Sequence, residues 1–191
     1  MADDAVEPPD VEPPDIEPWL RGPLRDVHPL VAPTLYAYAQ AREDIARWTN
    51  GLTDAEIWLR PNGLAPIGFQ LRHIAGSVER LTTYLRGEQL TAEQLEAIRR
   101  EMEAGPGRSG SLQELLIEVN EALHSSEQVI RVINPATLTE PRSVGRKHLP
   151  TTVVGLVVHL AEHTQRHVGE LIITAKVARG AEHGRTSPSA S

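Results

Sequence analysis

Helical periodicity limits what this chain can fold into more than any other feature. In PIGFQLRHIAGSVERLTTYL, residues Ile67, Leu71, Ile74, Val78, Leu81 and Leu85 follow an almost strict four-three alternation. On a helix that spacing makes one continuous apolar seam, the kind that packs in a bundle. Apolar residues recur at three and four along the rest of the central chain as well, and no period-two strand pattern stands against them.

Helix starts are marked by capping boxes, in which a hydroxyl and a side chain three residues on satisfy free N–H groups reciprocally. Thr53-Asp54-Ala55-Glu56, Thr91-Ala92-Glu93-Gln94 and Ser111-Leu112-Gln113-Glu114 all fit the pattern. Gly87, the GPGRSG segment at 105–110 and Asn134-Pro135 supply breaks. The pattern predicts long helices near 28–49, 66–86, 111–133 and 152–179, with short helical turns near 53–59 and 91–103. The expected fold is therefore all-α, a four-helix bundle with a long crossover connection, about 134–151, before the last helix.

A chain of 191 residues suits one well-packed domain with trimmings. Residues 1–24 hold the tandem VEPPD VEPPD IEP, whose prolines remove backbone donors. An extended arm is expected there, ordered only where Ile16, Trp19 and Leu20 dock on the body. The bundle should span 25–179, and the small, polar, breaker-rich residues 180–191 should form a flexible tail that takes His183 out of consideration.

Charge and composition exclude several classes. The net charge of -7, with arginines scattered among glutamates, gives no basic face for a nucleic acid. With no cysteine there is no disulfide, no thiolate metal site and no intrinsic thiol nucleophile, so any metal must be held by His, Asp or Glu. The opening MADDAVEPPD is unlike a signal peptide, and no apolar run approaches the roughly 18 residues of a membrane span. A cytoplasmic protein with no membrane partner is expected.

Three of the eight histidines fall at intervals of four in HLAEHTQRH, residues 159–167. At about 100° per residue, and with His163 at zero, the apolar stripe of this helix centres near +60°. His167 lies near +40° and His159 near -40°, so His163 and His167 share the core-facing stripe while His159 sits at its margin. Two stacked imidazoles in such a stripe either bond to side chains or water, or share a divalent cation that accepts a lone pair from each. A tight metal site needs a third ligand. His28 and His148 have no fixed core position; His124, though in a Glu-x-x-His element, falls opposite Leu115, Val119 and Ile130 and should be exposed. His73 lies about 120° from its helix seam, on a flank with Gln70, Ser77 and Tyr84 that could line a cavity between helices.

The pairing of PNGLAPIGFQLRHIAGSVERL with a downstream HLAEHTQRHVGEL resembles the DinB-like (DinB/YfiT) superfamily of metal-binding four-helix bundles, over roughly residues 28–179. The resemblance implies a site of three histidines, which fall here on His73, His163 and His167, with His159 left to packing. It also implies nickel or zinc as the ion, a homodimer, and relatives that include S-transferases and isomerases dependent on low-molecular-weight thiols. A three-histidine set leaves coordination positions open, as catalytic sites do. The missing cysteine fits a scheme in which a thiol cosubstrate brings the nucleophile, and fits a hydrolase equally.

Glu170 falls near -20° on the His163 scale, almost over the ligand pair. It is a candidate catalytic base, a partner for a ligand imidazole, a further ligand, or simply a surface pair for Arg166. Tyr84, Arg72 and Arg166 are lesser candidates for holding an anion. The expected function is a divalent-metal-dependent enzyme acting on a small molecule, of S-transferase or hydrolase type. The alternatives are a non-catalytic metal-binding or stress-associated interaction module, and a metal-free set of helical histidines.

Overall fold

The computed structural model describes residues 16–102 and 110–185, and for Met102 and 180–185 the backbone alone. The tandem VEPPD repeat, most of the GPGRSG break and residues 186–191 of the expected tail lie outside the described residues.

Among the described residues, five α-helices make up the body: α1 (Ala32–Thr49), α2 (Ile67–Leu85), α3 (Ala92–Met102), α4 (Leu112–Arg131) and α5 (Val153–Arg185). All three capping boxes form. Ser111 Oγ accepts from the Glu114 amide while Glu114 accepts from the Ser111 amide, at 3.3 and 2.7 Å. Thr91 and Gln94 exchange the same pair of bonds at 3.2 and 3.0 Å, which starts α3 as a full helix rather than a turn. Thr53 and Glu56 do so before a single 3-10 turn at Glu56–Trp58.

The seam read from α2 is the centre of the core, with Ile67, Leu71, Ile74, Val78 and Leu85 all buried. This helix packs on α4 at one side and α5 at the other; α5 also packs on α1, and a lighter α1–α4 contact closes the ring. Around the bundle the order is thus α1, α5, α2, α4. Chain neighbours α1 and α2 sit across a diagonal, and so do α4 and α5. Both long connections, 50–66 and 132–152, are crossovers, where the sequence suggested one.

Polar contacts fix the register of this ring. Tyr38 of α1 and Thr82 of α2 both reach the buried Ser126 hydroxyl of α4, at 3.0 and 2.8 Å, so three helices share one hydrogen-bonded knot. Gln165 Nε2 donates to the Ala37 carbonyl at 2.7 Å, tying α5 to α1. Arg179 donates to the Trp48 and Asn50 carbonyls at 3.3 and 3.1 Å, satisfying acceptors left free at the end of α1.

The second crossover contains a feature that periodicity did not show, an antiparallel hairpin of β1 (Pro141–Val144) and β2 (Leu149–Thr152). PRSV and LPTT are short, each contains proline and neither alternates apolar with polar residues, so they carry no period-two signal. Proline is tolerated because a two-stranded sheet has only edge strands. Arg142 Nε donates to the Leu85 carbonyl at 3.0 Å, which pins the hairpin on the end of α2 and delivers the chain directly into α5.

Ahead of α1, Pro18 is buried while Trp19 and Leu20 are exposed. Docking there is polar as well as apolar. Arg21 pairs with Glu43 of α1 at 2.5 Å, and Tyr36 donates to the Gly22 carbonyl at 2.8 Å. At the other end α5 continues to Arg185, past the boundary at 179 that Gly180 and Gly184 suggested. Two glycines lower helix propensity without forbidding a helix.

Candidate metal centre

Along α5, Leu156, Leu160, Leu171 and Ala175 are buried and define the stripe that faces the bundle. His163 and His167, read as sharing that stripe, are half-buried at its flank, and His159, read at its margin, is exposed. His159 bonds to Glu162 at 3.1 Å and meets the edge of His163 with ring centroids 5.3 Å apart, so it packs outside the group. His124 is exposed and His28 accepts from the Leu30 amide at 3.3 Å. His148, in the left-handed region at φ 47°, belongs to the hairpin turn.

Because α2 lies beside α5, the polar flank of α2 turns toward these histidines. His73, His163 and His167 each offer one ring nitrogen, and those nitrogens lie within 4.8 Å of one another. The centroid of His73 is 4.3 Å from that of His167 and 5.2 Å from that of His163, and the two α5 rings are 4.6 Å apart. Phe69, one turn before His73, stacks on it at 5.7 Å.

What surrounds the rings decides whether this is a packing cluster or a donor set. His73 Nδ1 bonds to Glu101 Oε1 of α3. His167 Nδ1 faces two acceptors, Gln70 Oε1 at 2.8 Å and Glu170 Oε2 at 3.1 Å, and Gln70 Nε2 donates to the same Glu170 oxygen at 2.8 Å. With only acceptors before it, Nδ1 of each ring must carry a proton, so in the neutral ring the lone pair lies on Nε2. The buried Nδ1 of His163 has no hydrogen-bond partner among the described residues. Orphaned nitrogens of that kind are uncommon in packed interiors and call for an ion or a water.

Electrostatics favour the neutral form of the two α5 rings. Burial, and then the neighbouring His167 and His73, push the His163 imidazole down to about 4. His167 is also lowered, by burial and then by His73, against the opposing pull of Glu170. Neutral imidazoles are the form that binds a metal. Burial alone would raise the Glu101 carboxyl; the hydrogen bond from His73 and the charge of Arg80, 2.9 Å away, outweigh it and hold the carboxyl below its ordinary value. The residues present thus fit a divalent cation.

The remaining candidates fall elsewhere. Tyr84 is buried in the last turn of α2, eleven residues and about 16 Å along the helix from His73, too far to serve the site. Arg72 lies 5.7 Å from the Trp58 ring centroid. Arg166 pairs with Glu162, which leaves Glu170 to Gln70 and His167. Sequence reasoning missed Glu101. Its signal was available: Gln94, Ile98 and Glu101 keep a four-three spacing on α3, so a carboxylate occupies a position that turns inward.

Two clefts border the group through its outer partners. One, of about 730 Å³, is lined by Arg72, Gly76, Arg80 and Glu101 among others. The second, about 720 Å³ and mostly apolar, is lined by Leu64, Gln70, Glu170 and Ile173 among others. The three histidines themselves line neither of these two clefts.

A helical bundle with three convergent histidines on two adjacent helices defines a protein with a group able to hold a metal ion. The chain belongs to the DinB superfamily, whose profile matches residues 37–171. Among solved structures it is similar to a crystal structure of a protein from Streptococcus pneumoniae, with a TM-score of 0.53 and 17% identity over 81% of this chain and 88% of that one. At that identity the likeness extends to the fold. Comparison with curated proteins gave no match. Among the described residues, no helix is long and apolar enough to cross a membrane.

Proposed function

We propose that this protein is a divalent-metal-dependent enzyme that acts on a small molecule, with His73, His163 and His167 as ligands and nickel or zinc as the ion. The observation that carries the reading is the donor set itself: three ring nitrogens within 4.8 Å, two of the rings held by acceptors on Nδ1 and the third with a buried nitrogen that has no partner among the described residues. A closed structural site has four protein ligands, whereas three leave room for a substrate atom.

When bound, such an ion supplies Lewis acidity, which lowers the pKa of a coordinated water or thiol. The chain's own part is to hold and orient. Gln70 and Glu170 fix the His167 ring through Nδ1, and Glu170, half exposed at the border of the apolar cleft, is placed to accept a proton from an arriving group. Since the chain has no cysteine, thiol chemistry requires a low-molecular-weight thiol as cosubstrate, in an S-transfer to an electrophile; hydrolysis of an ester or amide is the other reaction of the same type. A homodimer acting in the cytoplasm belongs to the same proposal.

The test is turnover by ion-loaded protein with a panel of thiols, electrophiles and esters. The expected result is activity that chelation removes and that His167→Ala lacks. An ion-loaded protein inert across the panel contradicts catalysis and favours a metal-binding module.

A further inference from the structure

The helix α3 is held in an unusual way. Among its side chains from residue 92 to 101, Glu101 is the one that is fully buried, at 5% exposure, while Leu95, Ala97 and Ile98 are only half covered. Among these residues the deepest contact is therefore a carboxylate rather than an apolar side chain. Both oxygens are used: Oε1 meets His73 Nδ1 and Oε2 accepts from Arg80 Nη1 at 2.9 Å. At its other end α3 is clipped to α2 by Gln94, whose Nε2 donates to Thr83 Oγ1 at 2.9 Å and Glu79 Oε1 at 3.0 Å.

The surface of α2 is shaped to receive this carboxylate. Gly76 sits between His73 and Arg80, and a Cβ there would lie 2.6 Å from Arg80 Nη1 and 3.1 Å from Glu101 Oε2. Any larger residue would crowd the ion pair. A buried carboxylate without partners is costly, so Glu101 can stay in place only while His73 and Arg80 present their N–H groups to it.

We propose that Glu101 is a positioning residue that holds His73 in the ion-binding tautomer, and that α3 docks through it, so that ion binding and α3 docking strengthen one another. This rests on the three-histidine reading above. An acceptor on Nδ1 fixes the ring and raises the basicity of Nε2, and loss of such a partner typically weakens metal binding by about 10–100-fold. Linkage makes the effect reciprocal: whatever factor docked α3 adds to ion affinity, the bound ion adds to α3 docking.

The test uses the full chain, zinc, a competing chromophoric chelator and hydrogen exchange of the α3 amides. In the natural protein zinc should slow exchange in residues 92–101. Glu101→Ala should bind zinc about 10–100-fold more weakly, and zinc should no longer protect α3. Glu101→Gln, which keeps an acceptor oxygen for His73, should recover part of both effects. Gly76→Ala, which leaves Glu101 intact, should shift both in the same direction and carries the test if Glu101→Ala fails to fold. Zinc affinity unchanged in Glu101→Ala, or α3 exchange indifferent to zinc in the natural protein, overturns the proposal while the metal site stands. If the natural protein binds no zinc or nickel, the metal site falls and the proposal with it.

Discussion

The two ends of the histidine group are built by different means. At His167 the support is local to α5 and its neighbour: Glu170 lies three residues on, half exposed, and shares the Nδ1 proton with Gln70. At His73 a single buried carboxylate arrives from another helix, 28 residues away, and brings an arginine with it. The first end is redundant, since either acceptor can hold the ring. The second has one acceptor among the described residues, Glu101. The site should therefore be fragile at His73 and tolerant at His167, and mutations in the two shells should separate accordingly.

The largest effect is expected from the ring common to both ends. His163→Ala removes one of the three proposed ligands and should abolish stoichiometric ion binding, measured by elemental analysis, with the helical content unchanged by circular dichroism. Glu101→Ala should follow, weakening affinity by about 10–100-fold. Glu170→Ala should cost less than about tenfold, because Gln70 Oε1 remains 2.8 Å from His167 Nδ1. Equal losses in the two variants would break the contrast between the ends. Loss of both acceptors in a Gln70→Ala, Glu170→Ala double variant should exceed the sum of the single losses, because each covers for the other.

The smallest expected effect is on the stability of ion-free protein. His163 titrates near 4 when folded and near 6.5 when unfolded, so the unfolded chain takes up its proton first as pH falls. Stability is fully present above about 6.5 and declines toward 4, by an amount on the order of 1 kcal/mol once the partial exposure of the ring is allowed for. Thermal melts in chelator at pH 7 and pH 5 should show a lower Tm at pH 5. In His163→Ala that decline should be shallower.

Much of this was legible in the sequence, for identifiable physical reasons. The α2 seam, the three capping boxes and the angular placing of His163, His167 and Glu170 all express one rule, rotation by a fixed angle per residue, and the structure places each accordingly. The marginal rank of His159 follows from the same count. His73 needed more, because its flanking position becomes a site only when α2 and α5 are neighbours, and the diagonal crossing of α1 to α2 and α4 to α5 that makes them so leaves no periodic trace. The family likeness supplied it. Glu101 stayed out of view because a lone inward carboxylate on a short helix gains meaning only from the histidine and arginine it meets. The hairpin at 141–152 escaped because two proline-containing edge strands need no alternation.

The most direct measurement is the metal content of protein made without a histidine tag in medium supplemented with zinc and nickel, beside His163→Ala prepared identically. The expected result is one divalent ion per chain in the natural protein and essentially none in the variant. Ion-free natural protein, or equal ion content in the two, would contradict the three-histidine centre.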